Sequence, residues 1–260
     1  MSLITAEPGA FDAQQRDEIV AFFAANGFVR IAGVFSDEQL AALQADMERC
    51  QRDLLAGLLP EQCGTVVLDD PDAMVDGEAF AHYVCHSTEV SIIAAECAHD
   101  PAITDVIKRL LGDDAWLLDY ERFGVVYQDA RPGKESGYSR IGWHTDWQSG
   151  PHLDIWPSVA FTIHLDATSP ANGFLRVLPG SHLGGTEGIP LGFEKVSGEI
   201  AVYCDYGDVL LHDAHLWHSA ARATEDPPAG VRRHIRGGWH AGSRLAEGHG
   251  VDDFVKNAQR

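Results

Sequence analysis

One run of seven residues constrains this chain more than any other. From Val159 to Leu165, Val159, Phe161, Ile163 and Leu165 alternate with Ala160, Thr162 and His164. A strict period of two is a strand with one face buried, and the next question is what its second face meets. That face either lines a polar cavity or contacts solvent; the pattern alone allows both. The surrounding sequence has the same character. Trp116–Tyr120 and Phe123–Tyr127 read as strands, and Arg131-Pro132-Gly133-Lys134 as a turn. Asn172-Gly173 turns into Phe174–Leu178, which Pro179-Gly180-Ser181-His182 ends, and Gly207-Asp208 feeds Val209–His212. Short strands with frequent Gly, Asn and Pro turns from 116 to 240 predict a double-sheet β architecture.

The first half is different. Residues 12–26 carry Ile19, Phe22 and Phe23 at helical spacing, with Asp12 as a cap and Asn26-Gly27 as the stop. Phe28-Val29-Arg30-Ile31 reads as a short strand. Ser36 then opens a second helix with Gln39 at the capping-box position and Leu40, Leu43 and Met47 on its apolar face. Residues 57–90 read as loop with short ordered pieces, and 89–111 as helix ending at Gly112. Helices first and strands later predict an α+β fold with the helices packed on one sheet. At 260 residues one domain is the default: 1–115 mainly helical, 116–240 the β core, 241–260 a C-terminal tail.

Composition narrows the partners. With 39 Asp and Glu against 19 Lys and Arg, the formal net charge is −20, so nucleic acid and anionic membranes are repelled on average. Cys50, Cys63, Cys85, Cys97 and Cys204 are odd in number and contain no CxxC pair, which argues against a disulfide framework or structural zinc and fits reduced thiols in a cytoplasm. Residues 1–9 lack a basic segment followed by an apolar run, and no stretch approaches a membrane span. The expectation is an unprocessed cytosolic protein with a small-molecule substrate.

The chemistry centres on Gly142-Trp143-His144-Thr145-Asp146-Trp147. On a strand, residues two apart share a face, so His144 and Asp146 could grip one ion. With 13 histidines in the chain, one such pair also arises by chance. A third donor from downstream would complete it. His218 in Leu216-Trp217-His218-Ser219 is the best candidate, with His212 and His215 as rivals. Two histidines and one carboxylate on one side of a metal leave the other side open, the facial arrangement of non-haem Fe(II) oxygenases.

With these pieces in order, the chain resembles the phytanoyl-CoA dioxygenase family of Fe(II)/2-oxoglutarate-dependent oxygenases. The matching stretches are Gly27-Phe28-Val29, Val34-Phe35-Ser36-Asp37-Glu38, His144-Thr145-Asp146, the run from Asn172-Gly173 to Pro179-Gly180-Ser181-His182, Gly207–His212 with His218-Ser219, and an arginine in Val231-Arg232-Arg233-His234-Ile235. The resemblance implies a double-stranded β-helix, or jelly-roll, core. It implies that His144, Asp146 and His218 hold iron and that Arg232 pairs with the distal carboxylate of 2-oxoglutarate. Distance from the Gly207-Asp208 turn and the following serine favour His218 over its rivals. Two departures stand out. The family often reads His-Gly-Ser where this chain has His218-Ser219-Ala220, so the serine points the other way and Thr162 becomes the candidate hydroxyl. The stretch from His218 to Arg232 is long and holds Asp226-Pro227-Pro228, which leaves Arg233 and Arg236 as alternative anchors; Arg232 and Arg236 share a face on a regular strand, and Arg233 does not.

The implied reaction uses Fe(II), 2-oxoglutarate and O2, releases succinate and CO2, and removes hydrogen from a substrate carbon. Halogenating relatives replace the carboxylate with a small residue; Asp146 is present here, which favours hydroxylation. Epimerisation, ring closure and desaturation can begin from the same hydrogen abstraction. Tyr120, Arg122, Trp147 and Trp239 are candidate substrate contacts by position, and core packing is the competing account of each aromatic. The rival classes are a zinc-dependent hydrolase, which would leave Arg232 without purpose, and a non-catalytic jelly-roll binding protein.

Overall fold

The computed structural model describes residues 9–64, 74–75, 77–119, 124–131, 141–146, 158–184 and 192–242. In chain order they form β1 (Ala10–Asp12), α1 (Arg16–Asn26), β2 (Phe28–Ala32), α2 (Asp37–Leu55), β3 (Met74–Val75), β4 (Glu78–Ala79), β5 (Tyr83–Val84), α3 (Ser87–Val90), α4 (Ile92–Ala98), α5 (Pro101–Leu111), β6 (Trp116–Leu117), β7 (Val126–Ala130), β8 (Ile141–His144), β9 (Ser158–His164), β10 (Leu175–Val177), β11 (Ile200–Val202), β12 (Val209–Asp213), β13 (His218–Ala220) and β14 (Arg232–His240). The major sheet runs β1-β2-β12-β9-β14-β7-β5, with β6 also on β14, and the minor sheet runs β11-β10-β13-β8. The two sheets form a jelly roll.

The alternation of β9 resolves as a two-faced strand. Val159, Phe161, Ile163 and Leu165 are buried in the core beneath the helices, and Ala160, Thr162 and His164 line a cavity. That core takes Ile19 and Phe23 from α1, Leu40, Leu43 and Met47 from α2, and Ile103, Val106 and Ile107 from α5. Each fully buried aliphatic side chain contributes about 1.5–3 kcal/mol. The helices therefore cover the outer face of the major sheet and leave its inner face to the site.

Local chemistry sets the helix ends. Ser36 and Gln39 make the reciprocal capping box. Helix α1 starts at Arg16, later than expected, because Asp12 ends β1 and its carboxylate accepts from the backbone N–H of Gln14. The stop at Gly27 holds, with φ +79°. The helical stretch before Gly112 is three helices, broken by the extended Ser91 and by Asp100-Pro101, where Asp100 caps α5 and proline takes its first turn. The predicted strands at 116–120 and 123–127 are shorter or shifted, to Trp116–Leu117 and Val126–Ala130. The N-terminal part also gives β1, β2 and β5 to the major sheet. No helix among the described residues is long and apolar enough to cross a membrane.

Candidate metal centre

A cavity of about 340 Å³ lies between the sheets. At one end, one donor atom each from His144, Asp146 and His218 lie within 4.8 Å of one another. His144 on β8 and His218 on β13 are direct cross-strand partners. Strand β8 ends at His144, so Asp146 reaches the site from just beyond the strand and not from the same strand face. Asp146 Oδ1 is 3.7 Å from His144 Nε2 and 3.6 Å from His218 Nε2, too long for hydrogen bonds and suited to an ion between them.

The tautomers fit a metal. His144 Nδ1 lies 2.8 Å from the carbonyl of Gly142, and His218 Nδ1 lies 2.9 Å from that of Leu216. A carbonyl only accepts, so each Nδ1 carries the proton and each Nε2 presents its lone pair to the site. His212 is different. Its Nε2 donates to Asp146 Oδ2 at 3.1 Å, so it holds the carboxylate and presents no lone pair. His215 is outside the cavity lining, beside Asp213. Burial alone would raise the Asp146 carboxyl, but His218, His212 and His144 outweigh it and hold it below the usual carboxylate range. Burial pushes His218 down to about 3, which keeps it neutral and able to coordinate.

The flanking motifs position His218. Ser181 Oγ accepts from the N–H of Trp217 at 2.9 Å, and the N–H of Leu178 donates to the Trp217 carbonyl. The Pro179–His182 stretch thus holds the residue before His218. Ser219 is fully buried and its hydroxyl donates to the Ile141 carbonyl, so Ala220, not a serine, faces the cavity.

Strand β14 sorts the arginines. Arg232, His234, Arg236, Gly238 and His240 line the cavity. Arg233 faces the helices, where Asp166 takes it bidentately at 2.9 and 2.8 Å and Glu48 at 2.9 Å; it is removed as a cosubstrate anchor. Arg232 is 7% exposed, its Nε has no partner among the described residues, and burial lowers its pKa. Gly173 makes room for it: a Cβ there would lie 2.4 Å from the Ala221 carbonyl and 2.9 Å from an Arg232 terminal nitrogen. Thr162 lines the cavity level with Arg236.

One expected substrate contact is corrected. Trp239 shares the outward parity of Arg233 and Ile235, is 4% exposed, and sits in the helix-side core with its ring edge-on to His99 at 5.4 Å. Tyr120, Arg122 and Trp147 lie outside the described residues. The motifs do not single out His234; its parity with Arg232 and Arg236 is the signal that finds it. His164 and His234 are both 7% exposed. Burial, then Arg232 and Arg30, push His164 from 6.5 to about 3; burial, then Arg232, His164 and Arg236, push His234 well below 6.5. Between the folded and unfolded values the unfolded chain binds more protons. The contribution of these two histidines is therefore fully present above pH 6.5 and is lost on acidification, for His164 toward pH 3, by on the order of 1 kcal/mol per pH unit. Urea midpoints measured across that range check this slope, and a flat profile contradicts it.

The fold and the three converging donors define a jelly-roll protein with a facial metal-binding geometry. The family model for phytanoyl-CoA dioxygenase (PhyH) matches residues 23–228, and the chain belongs to that family. It is 25% identical over 176 residues to an ectoine dioxygenase of Bordetella parapertussis, covering 66% of this chain and 50% of that protein. It is 26% identical over 165 residues to the ectoine dioxygenase of Sphingopyxis alaskensis, covering 62% and 48%. The chain thus spans about half the length of the curated relatives it matches. Similar solved structures include EctD from S. alaskensis with bound Fe (TM-score 0.66, 20% identity, 86% of this chain and 76% of that one). AviO1 from Streptomyces viridochromogenes Tue57 (0.64, 18%, 89% and 97%) and the non-heme alpha ketoglutarate dependent epimerase SnoN from nogalamycin biosynthesis (0.64, 19%, 88% and 83%) share the fold as well.

Proposed function

We propose that this chain is a single-domain non-haem Fe(II)- and 2-oxoglutarate-dependent oxygenase that oxidises, and most simply hydroxylates, a C–H bond of a small-molecule metabolite. The observation that carries this reading is the pairing of two features in one cavity: a His-Asp-His donor set at one end and, beyond it, a buried arginine whose Nε has no hydrogen-bond partner among the described residues. A zinc hydrolase would use the first and leave the second unexplained. The names of the family relatives support the same reading, and the five buried free cysteines are compatible with a reducing cytoplasm.

The donor set fits iron: two neutral imidazoles and one ionised carboxylate on one side, the other side facing the cavity. When bound, iron with 2-oxoglutarate and O2 supplies the oxidising chemistry and releases succinate and CO2. The chain supplies the rest. His144, His218 and Asp146 would hold the metal, and the His212 N–H fixes the second carboxylate oxygen of Asp146. Arg232 gives the cosubstrate's far carboxylate a planar, charge-assisted fork, and Thr162 offers a hydroxyl between the two. Leu118, Leu175 and Leu210 give the same cavity apolar walls. Tyr120, Arg122 and Trp147 are assigned to the substrate side on sequence grounds.

Anaerobic protein given Fe(II) and then 2-oxoglutarate is expected to develop the weak visible charge-transfer band of the ternary complex, and on admission of O2 to form succinate. Tight zinc binding with no band would indicate a hydrolase. Absence of both metal binding and band would leave a binding protein.

A further inference from the structure

Resting on the reading that this cavity takes 2-oxoglutarate, we infer that His164 and His234 complete, with Arg232, a three-sided cradle for the cosubstrate's far carboxylate. The register places them together. His164 on β9 and His234 on β14 are direct cross-strand partners, with ring centroids 6.1 Å apart. Both line the cavity, and Arg232 follows two residues along the same face of β14. Their level is set by counting along β9: Ala160 pairs with His212, which holds Asp146; Thr162 is one step further; His164 is the next.

These groups are buried and unmet. Each of the three residues is 7% exposed. Both ring nitrogens of His164, Nδ1 of His234 and Nε of Arg232 have no hydrogen-bond partner among the described residues. Among the described lining residues the sole carboxylate is Asp146, at the metal end. Interior polar atoms are nearly always satisfied, so this cluster is shaped for a ligand that the described residues do not provide. A carboxylate suits it. Its one negative charge matches one guanidinium, and its two oxygens accept from the arginine fork and from one N–H of each neutral imidazole. The hydroxyl that a serine at Ala220 would supply is absent, and Ser219 is turned to Ile141. The imidazoles take over that donation from the opposite sheet.

The test compares 2-oxoglutarate with 2-oxopentanoate, which keeps the metal-chelating keto acid and lacks the far carboxylate. Dissociation constants come from anaerobic titration of the Fe(II)-loaded protein, followed by the visible band, with no turnover. Wild type is expected to prefer 2-oxoglutarate by about a hundredfold or more. His164→Leu and His234→Leu are each expected to weaken 2-oxoglutarate about tenfold, equivalent to about 1.4 kcal/mol, and to leave 2-oxopentanoate unchanged. His164→Phe and His234→Phe, which keep a ring and remove both nitrogens, carry the same test should leucine unfold the chain. Variants that retain the full wild-type preference overturn the cradle and leave the oxygenase reading intact. A wild type that binds both acids equally overturns the assignment of the cosubstrate to this end of the cavity, and the cradle with it.

Discussion

Asp146→Ala is expected to abolish 2-oxoglutarate-dependent succinate formation and iron binding while the fold survives. The carboxylate is the anionic member of the donor set, and without it two neutral imidazoles remain to hold a dication. Its charge is stabilised where it stands, since three histidines hold the carboxyl below its usual range despite burial. Its side chain sits in the cavity and adds nothing to the apolar core under the helices, so the far-ultraviolet circular dichroism of the variant matches wild type. His144→Ala and His218→Ala have the same expected outcome, each removing one Nε2. Equilibrium dialysis against Fe(II) and a succinate assay read the two losses separately. Unchanged turnover in any one variant removes that residue from the ligand set.

Arg232→Ala is expected to raise the apparent KM for 2-oxoglutarate tenfold or more. Truncating one partner of a buried, hydrogen-bonded charge pair costs on the order of 2–5 kcal/mol, and the loss falls on binding, so kcat changes less than kcat/KM. Arg233→Ala is the control. It strips Asp166 and Glu48 of their shared cation and lowers stability, and it leaves KM unchanged because its guanidinium is on the other face of the sheet. If Arg236→Ala carries the KM effect instead, the far carboxylate lies at the level of Thr162 and the arginine assignment on β14 shifts by four residues.

The parity of a strand was the most legible information in this chain. Alternation across Val159–Leu165 marked the buried face and left open what the other face meets, and the spacing of Arg232, Arg233 and Arg236 separated Arg233 from the other two. Trp239 shows the limit of arguing by proximity: counted from Arg232 its parity points outward, to His99 and the helices. Asp146 shows another. The His-x-Asp spacing suggested one strand face, but the strand stops at His144, and a histidine from the other sheet, His212, holds the carboxylate. That bond links residues 66 apart in sequence, and no local pattern encodes it. Strand parity gives the faces of His164 and His234, but their pairing is defined by cross-strand register, which is set by the whole sheet.

The Asn172-Gly173 turn has a consequence for how this site can vary. Asn172 donates from its side chain to the carbonyls of Ala167 and Val231, and Thr224 Oγ1 donates to the carbonyl of Pro170. The chain leaving His218 is thus tied to the 169–174 hairpin through Ala221, Thr224 and Glu225 and fastened to it again at Val231, one residue before Arg232. Length can therefore change only between Glu225 and Val231, and an insertion or deletion there is expected to leave the guanidinium where it is. Reach from metal to arginine is decided by a knot in a different hairpin, and residue counting between the two motifs is no guide to it.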